Sequence, residues 1–263
     1  MTPSILFQSL WNDYIERLCP SAERVHKLLQ EETTLINDHI ALRTFNLAPV
    51  GLEVLAAPFL ALGYQECGDY VFESKHLVAK HYEHPDANQP KVFISELLVE
   101  KLPSQAQAIV ERLVQQVDSQ RLHSHEFLSA GRLWDISFDD YQCLAKSSEY
   151  AAWLSVHGYG ANHFTVSVNQ LNRFEQVKQV NDYLTQSGFA INQSGGEVKG
   201  SPEVLLEQSS TMADKVVVTF SDGQHEVPGG FYEFAKRYAM ANGELYPGFV
   251  AASADKIFES TNL

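Results

Sequence analysis

The 263-residue sequence has few cysteines, no excess of positive charge and no long hydrophobic run. Its three cysteines, Cys19, Cys67 and Cys143, form no CxxC pair, so the pattern indicates neither a zinc site nor a redox dithiol. Asp and Glu outnumber Lys and Arg by 33 to 19, and such a chain repels a nucleic-acid backbone. The apolar stretches fall short of the roughly 20 residues that a membrane span needs. We therefore expect neither nucleic-acid nor membrane partners.

Targeting and nucleotide-binding motifs are also missing. Residues 1–13 lack a basic region and their apolar residues are interrupted by polar ones, so no secretory signal is predicted and a cytoplasmic protein is expected. The motifs GxSxG, HExxH, GxxxxGK[ST] and GxGxxG do not occur, which argues against common hydrolase and nucleotide-binding classes. Hydrophobic residues make up 44% of the chain, as in ordinary packed globular proteins.

Two parts of the chain repeat one order of elements, βαβββ. In the first, the pattern predicts a strand, a helix and three strands at 36–45, 51–62, 70–72, 76–82 and 92–99. In the second, it predicts a strand, a helix and further strands at 162–168, 171–186, 189–192, 203–208, 216–220 and 231–234.

The opening strands NDHIALRTF and ANHFTVSVN align, as do the closing strands VFISELLV and GGFYEFAKR. This alignment superposes His39 on His163 and Glu96 on Glu233. His39 and Glu96 are 57 residues apart in the first unit, and His163 and Glu233 are 70 residues apart in the second.

These units predict an α+β fold in which two βαβββ units form a half-open mixed β-barrel with added helices. We expect a single domain, 1–263. It divides into N-terminal helices broken at Pro20 (1–30), a first unit (31–101), a helical segment (102–157), a second unit (158–240) and a C-terminal tail (241–263).

Alternation along the strands places polar residues on one face of each unit. His39 and Arg43 share a face, with Asp38 on the other, and His163 faces the same interior if the sheets pair. Two imidazoles would then converge with Glu96, Glu233 or both. Two histidines and a carboxylate suit non-haem Fe(II), and related sets accept Mn, Co or Zn. Arg43 could grip the carboxylate of a ligand that reaches the metal.

Other interpretations remain open for the same residues. A strand histidine is often a hydrogen-bonded structural residue. Glu233 could pair with Arg237, and Arg43 could pair with Glu96 or another inward acid. His81 could also face the site from its strand.

The segments NDHIALRTF, KVFISEL, GYGANHFTVSVN and VPGGFYEFAKRY together resemble the 2-oxoadipate dioxygenase/decarboxylase family, whose fold is similar to the vicinal oxygen chelate superfamily. The resemblance covers most of residues 30–240. It implies an Fe(II) enzyme of lysine breakdown that uses O2 to convert 2-oxoadipate to 2-hydroxyglutarate. It also implies His39, His163 and Glu233 as metal ligands and Arg43 as the substrate-binding arginine.

The chain departs from this family pattern in being compact, which leaves its exact substrate open. We expect Glu96, His81 and Arg237 to contact the metal ligands rather than the metal. The alternative for Glu96 is that it is a fourth ligand. Two other functions remain: a non-redox lyase, isomerase or hydrolase using Zn, Ni or Mn, and a non-catalytic carboxylate-binding protein.

Overall fold

A computed structural model of the chain describes residues 1–32 and 34–261. The strands β1 to β10 are, in order, Asn37–Phe45, Gln65–Phe72, Leu77–Glu83, Lys91–Leu97, Ala161–Ser167, Lys199–Ser201, Leu206–Ser210, Lys215–Phe220, Gly223–Pro228 and Phe231–Arg237. The helices α1 to α8 are Pro3–Asp13, Ser21–Leu29, Leu52–Ala61, Ser104–Val114, Phe138–Ala145, Glu149–His157, Val177–Gln186 and Ala251–Ile257.

Eight strands form one mixed sheet, in the order β2-β3-β4-β1-β5-β10-β7-β6, which curls into a half-barrel. Strand β1 pairs in parallel with β4, and β5 in parallel with β10. The two units meet where β1 and β5 pair antiparallel at the centre. One unit is β1-α3-β2-β3-β4 and the other is β5-α7-β6-β7-β10, so the predicted fold class is confirmed.

The second unit differs from its prediction in detail. Its helix begins at Val177 rather than 171, because Gln176 and Gln179 form a capping box there and a short 3-10 helix occupies 168–170. The predicted strand 189–192 is reduced to a single bridge between Ile191 and Thr211. The predicted strand 216–220 belongs to a separate hairpin, β8-β9, inserted before β10. This insertion explains the longer spacing between His163 and Glu233.

Helices cover both faces of the sheet. The N-terminal helices α1 and α2, separated at Pro20 as expected, lie against the convex face, where the Trp11 and Phe164 rings pack edge to face at 5.1 Å. The expected helical segment contains α4, α5 and α6. Helix α6 lies over the concave face, and its Tyr150 hydroxyl hydrogen-bonds the backbone oxygen of Ser95 in β4. Within the described residues, no helix is long and apolar enough to cross a membrane.

The chain turns from α6 into β5 through a glycine that no other residue can replace without strain. Gly158 has φ +62°, and a Cβ there would lie 2.2 Å from the backbone oxygen of Gly131. This close approach holds the turn before β5 against Gly131, which also forms a backbone bridge with Tyr159.

Replacing Gly158 with Ala should therefore destabilise the protein by about 3 kcal/mol or more, because backbone strain adds to a steric clash. The matched control is Gly188→Ala, since Gly188 also has positive φ but has no atom within 4 Å of a built Cβ. We expect that control to cost only about 1–2 kcal/mol. Urea denaturation measures both, and equal losses would contradict the steric argument.

Candidate metal centre

Three polar side chains meet on the concave face of the central strands. His39 comes from β1, His163 from β5 and Glu233 from β10, and all three are buried. One potential ligand atom from each lies within 4.8 Å of the others. Nε2 of His39 is 3.5 Å from Oε1 of Glu233, and Nε2 of His163 is 3.2 Å from Oε2. The structure thus brings together the three residues singled out from the sequence.

The outer nitrogen of each imidazole is held by a neighbouring side chain. Nδ1 of His39 donates to Asp38 at 2.7 Å, and Nδ1 of His163 donates to the Asn162 side-chain oxygen at 3.0 Å. With the proton on Nδ1, the lone pair of each Nε2 is available to a metal, and Nε2 of His39 also lies 3.1 Å from the Thr165 hydroxyl. Partners of this kind orient metal-binding histidines and fix their tautomer.

Arg237 completes the support for His39. Its guanidinium donates two hydrogen bonds to the Asp38 carboxylate, at 2.7 and 2.9 Å. Burial alone would raise the pKa of Asp38, but Arg237 and His39 together hold it below its usual range. Asp38 is therefore an anion behind His39. Arg237 pairs with Asp38, and it is not the direct partner of Glu233 that the sequence left open.

The Glu233 carboxylate is buried without enough hydrogen bonds for a charge. Gln208 donates to Oε1 at 2.6 Å, whereas no hydrogen-bond donor among the described residues reaches Oε2. Burial is the main reason that the pKa of Glu233 rises to about 7, against the opposing effects of His39 and Gln208. Burial also lowers the pKa of His163, and electrostatic interactions with His39 and Arg43 lower it further. A divalent cation would compensate the buried carboxylate, so the group fits a metal with nitrogen and oxygen ligands.

Asp38, Asn162 and Gln208 were not identified from the sequence. Simple alternation put Asp38 on the face opposite to His39, but the β1-β5 register shifts between Asn37 and His39, and this bulge lets both side chains meet. The aligned pairs Asp38-His39 and Asn162-His163 in NDH and ANH carried the signal that could have found both supports.

Glu96 does not join the group, which corrects the sequence alignment. Glu233 pairs with Thr165, which lies two residues after His163. In the first unit, the residue two positions after His39 is Ala41, and Ala41 pairs with Phe93. The true counterpart of Glu233 is therefore Phe93. Glu96 lies three residues further along β4, on the opposite face, where it accepts a hydrogen bond from the Leu52 amide at the start of α3.

His81 lies on the concave face but is occupied by other partners. Its ring nitrogens contact the Tyr70 hydroxyl at 2.9 Å and Glu83 at 3.0 Å. Cys67, His81 and Glu83 lie within 4.8 Å of one another, but Lys91 also pairs with Glu83. Against the effect of burial, His81 and Lys91 lower the pKa of Glu83 to about 2. This group is an internally satisfied ion-pair network.

An aromatic residue of the C-terminal tail covers the candidate centre. The Phe249 ring meets His39 edge to face at 4.8 Å and Phe93 at 5.0 Å, while the Arg237 guanidinium lies 5.1 Å from its centroid. Beneath it, a cavity of about 20 Å3 is lined by His39, His163, Glu233, Phe249 and Ile257, among others. The cavity has room for about one water-sized group.

Arg43 is buried beside α6, near the other end of β1. Its guanidinium lies 4.9 Å from the ring centroids of both Tyr150 and Trp153, and Nη1 is 3.4 Å from Oε1 of Glu149. The inward acid paired with Arg43 is thus Glu149, a residue that the sequence patterns did not identify. About 13 Å of strand separates the Cα atoms of His39 and Arg43, from four residues at about 3.3 Å each.

The fold and the buried group define a half-barrel protein of the glyoxalase type with a site suited to a divalent metal. A family model described as 2-oxoadipate dioxygenase/decarboxylase matches residues 11–246, and the chain belongs to this family. The chain is 34% identical over 270 residues to the chloroplastic 2-oxoadipate dioxygenase/decarboxylase of Arabidopsis thaliana. That alignment covers 92% of this chain and 73% of the plant protein.

Two solved structures extend the comparison. A crystal structure of the hydroxyglutarate synthase of Oryza sativa in complex with 2-oxoadipate has a TM-score of 0.91 and 32% identity, covering 98% of this chain and 91% of that chain. A Shewanella frigidimarina protein, provisionally described as a hydrolase, has a TM-score of 0.92 and 58% identity, covering 95% of this chain and 98% of that chain. The family expected from the sequence motifs is confirmed.

Replacing His163 with Ala should abolish stoichiometric metal binding, because it removes one of three buried donors.

Asp38→Asn should weaken metal affinity by about 10–100-fold, since it leaves His39 without its anionic partner. Chelator competition measures both affinities, and circular dichroism checks folding. His125→Ala, which changes an exposed histidine, should bind metal as the wild type does. A folded His163→Ala protein that retains a full metal complement would remove His163 from the site.

The contribution of Glu233 to the stability of the metal-free protein should be lost as the pH rises through about 7. The pKa of Glu233, about 7 when folded, exceeds the roughly 4.3 of an unfolded chain, so the folded state holds this proton more tightly. The resulting stabilisation is complete below about pH 4 and is lost by about pH 8, a change of about 4 kcal/mol. Glu233→Gln removes the titration. Urea denaturation of both apoproteins across this range checks the difference, and a constant difference would refute it.

Proposed function

We propose that this protein is an Fe(II)-dependent dioxygenase/decarboxylase that converts a 2-oxo dicarboxylic acid resembling 2-oxoadipate to a 2-hydroxy acid resembling 2-hydroxyglutarate. The observation that carries the proposal is the buried His39, His163 and Glu233 group on the same concave face as Arg43. Family membership and the 2-oxoadipate complex of the rice relative support it. The reaction balances with one O2 taken up and one CO2 released, and it needs no further reductant.

Bound Fe(II) would supply open coordination positions for O2 and for the 2-oxo acid. The chain's own residues would hold and orient the reactants. Asp38 and Asn162 fix the imidazoles, and Gln208 fixes one oxygen of Glu233. Zn, Ni, Co or Mn are the other metals that this donor set could accept.

Arg43 would bind the distal carboxylate of the substrate. Its guanidinium is planar and offers paired donors to a carboxylate, while Tyr150 and Trp153 hold it from the sides. A six-carbon diacid, together with the long side chains at either end, would span the distance along β1. Phe249 and Ile257 would limit water at the reacting end, since both line the small cavity there.

The non-redox alternative has weaker support. It used Glu96 as a fourth ligand, but the Glu96 carboxylate caps α3 on the other face. Three protein ligands leave more coordination positions for substrate and oxygen. The provisional hydrolase description of the Shewanella relative keeps hydrolysis as the comparison to test. A non-catalytic binding protein would show binding without turnover.

We also propose a cytoplasmic location and a part in lysine breakdown. The plant relatives are described as chloroplastic, or as chloroplastic and amyloplastic, so the compartment is to be tested by fractionation of the source cells.

Oxygen uptake is the direct test. Protein loaded anaerobically with Fe(II) should consume O2 and release CO2 in equal amounts when given 2-oxoadipate, with shorter and longer 2-oxo acids assayed alongside. Glu233→Ala should abolish the reaction, whereas Glu226→Ala in the β8-β9 hairpin should not. Stoichiometric metal without O2 uptake on any of these acids would reject the dioxygenase.

Arg43→Ala should raise KM for 2-oxoadipate about 10–100-fold while metal content stays unchanged, because a charge-assisted bond to the distal carboxylate is lost. Arg43→Lys keeps the positive charge but lacks the paired N–H donors of a guanidinium, so its KM should lie between those of Arg43→Ala and the wild type. Steady-state kinetics and metal analysis check this. Loss of metal in Arg43→Ala would instead make Arg43 a structural support of the centre.

A further inference from the structure

The Arg43 guanidinium has a carboxylate partner within the chain. The Arg43 side chain is 1% exposed, whereas that of Glu149 is 29% exposed, and they meet at 3.4 Å. A buried cation needs a counter-charge. At 3.4 Å the contact is longer than an ordinary charge-assisted hydrogen bond, so it can be exchanged for a better one.

Glu149 has two further interactions in its present position beside Arg43. It is the first residue of α6, after the N-cap Ser148, where the helix dipole stabilises a carboxylate. The Thr261 hydroxyl donates to the same Oε1 that faces Arg43. Glu149 and Thr261 both border a cavity of about 320 Å3 that Tyr141 and Trp153 also line. The Glu149 side chain therefore has space to turn away from Arg43.

We propose that Glu149 is a resting counter-ion of Arg43 and sets the preference of the site between dicarboxylic and monocarboxylic 2-oxo acids. This inference rests on the proposed function, because it takes Arg43 as the group that binds the distal end of the substrate. The distal carboxylate of a diacid replaces Glu149 at Arg43, and Glu149 turns toward the adjacent cavity. A substrate with an uncharged tail leaves the Arg43-Glu149 pair in place.

The two substrate types then respond in opposite directions to loss of the Glu149 charge. A diacid binds more tightly, because it no longer competes with a second carboxylate for one guanidinium. An acid with an apolar tail binds more weakly, because it covers an Arg43 that has lost this counter-charge. A merely structural role for Glu149 would move both affinities in the same direction.

The test uses the Fe(II)-loaded protein under anaerobic conditions, so that binding is measured without turnover. Isothermal titration calorimetry gives Kd for 2-oxoadipate and for 2-oxohexanoate, which has the same chain length with a methyl end. In Glu149→Gln we expect Kd for 2-oxoadipate to fall about tenfold and Kd for 2-oxohexanoate to rise several-fold. Asp139→Asn is the matched control, since it removes an exposed acid from the first turn of α5 and should leave both values unchanged.

Further variants separate charge from shape. Glu149→Asp keeps the charge and should hold the ratio of the two Kd values near that of the wild type. If Glu149→Gln fails to fold, Glu149→Ala carries the same two expectations. Equal or parallel changes in both Kd values overturn the proposal, as does a ratio in Glu149→Asp that matches Glu149→Gln.

The outcome for Glu149 is distinguishable from the outcome for the proposed function. If the wild-type protein binds 2-oxoadipate but consumes no O2, the dioxygenase proposal is rejected. The ratio of the two Kd values then still tests the role of Glu149. Wild-type protein that binds neither acid would overturn both.

Discussion

A carboxylate buried between two imidazoles is the constraint on which the centre of this molecule depends. Glu233 is fully buried, has one hydrogen-bonded oxygen, and lies 3.2 Å from His163 and 3.5 Å from His39. Such a group is costly to bury unless a cation compensates it. The surrounding polar side chains serve this group: Arg237 holds Asp38 as an anion, and Asp38 and Asn162 orient the imidazoles. The arrangement favours metal binding over a simple structural ion pair.

The two βαβββ units are similar in fold but not in chemistry. Each contributes one histidine from its opening strand, and the antiparallel pairing of β1 with β5 brings the two together. On the closing strands, the second unit has Glu233 where the first has Phe93. The site consequently has one carboxylate, and Phe93 helps form its apolar wall beside Phe249. Breaking the symmetry at this one position leaves three donors, which suits a metal that must also bind substrate and oxygen.

Parts of the chain outside the repeated units complete the pocket. Helix α6 supplies Glu149, Tyr150 and Trp153 around Arg43, while the C-terminal tail supplies Phe249 over His39. These side chains surround the two ends of the site with different chemistry. The cavity at the histidines is small and is covered by Phe249 and Ile257, whereas Glu149, which pairs with Arg43, borders a larger cavity. This asymmetry matches a substrate that has a 2-oxo acid at one end and a carboxylate at the other.

The sequence by itself determined the repeated units, the shared face of His39 and Arg43, and the matching place of His163, while it left both Glu96 and Glu233 as candidate carboxylates. Those features follow from local alternation along strands and from the alignment of one unit on the other. Only the tertiary structure decided the remainder. A bulge brought Asp38 to His39, and a three-residue offset in β4 put Phe93 rather than Glu96 in the site, because an odd shift along a strand reverses the face. Glu149 and Phe249 meet Arg43 and His39 across long stretches of chain, and local patterns carry no information about such contacts.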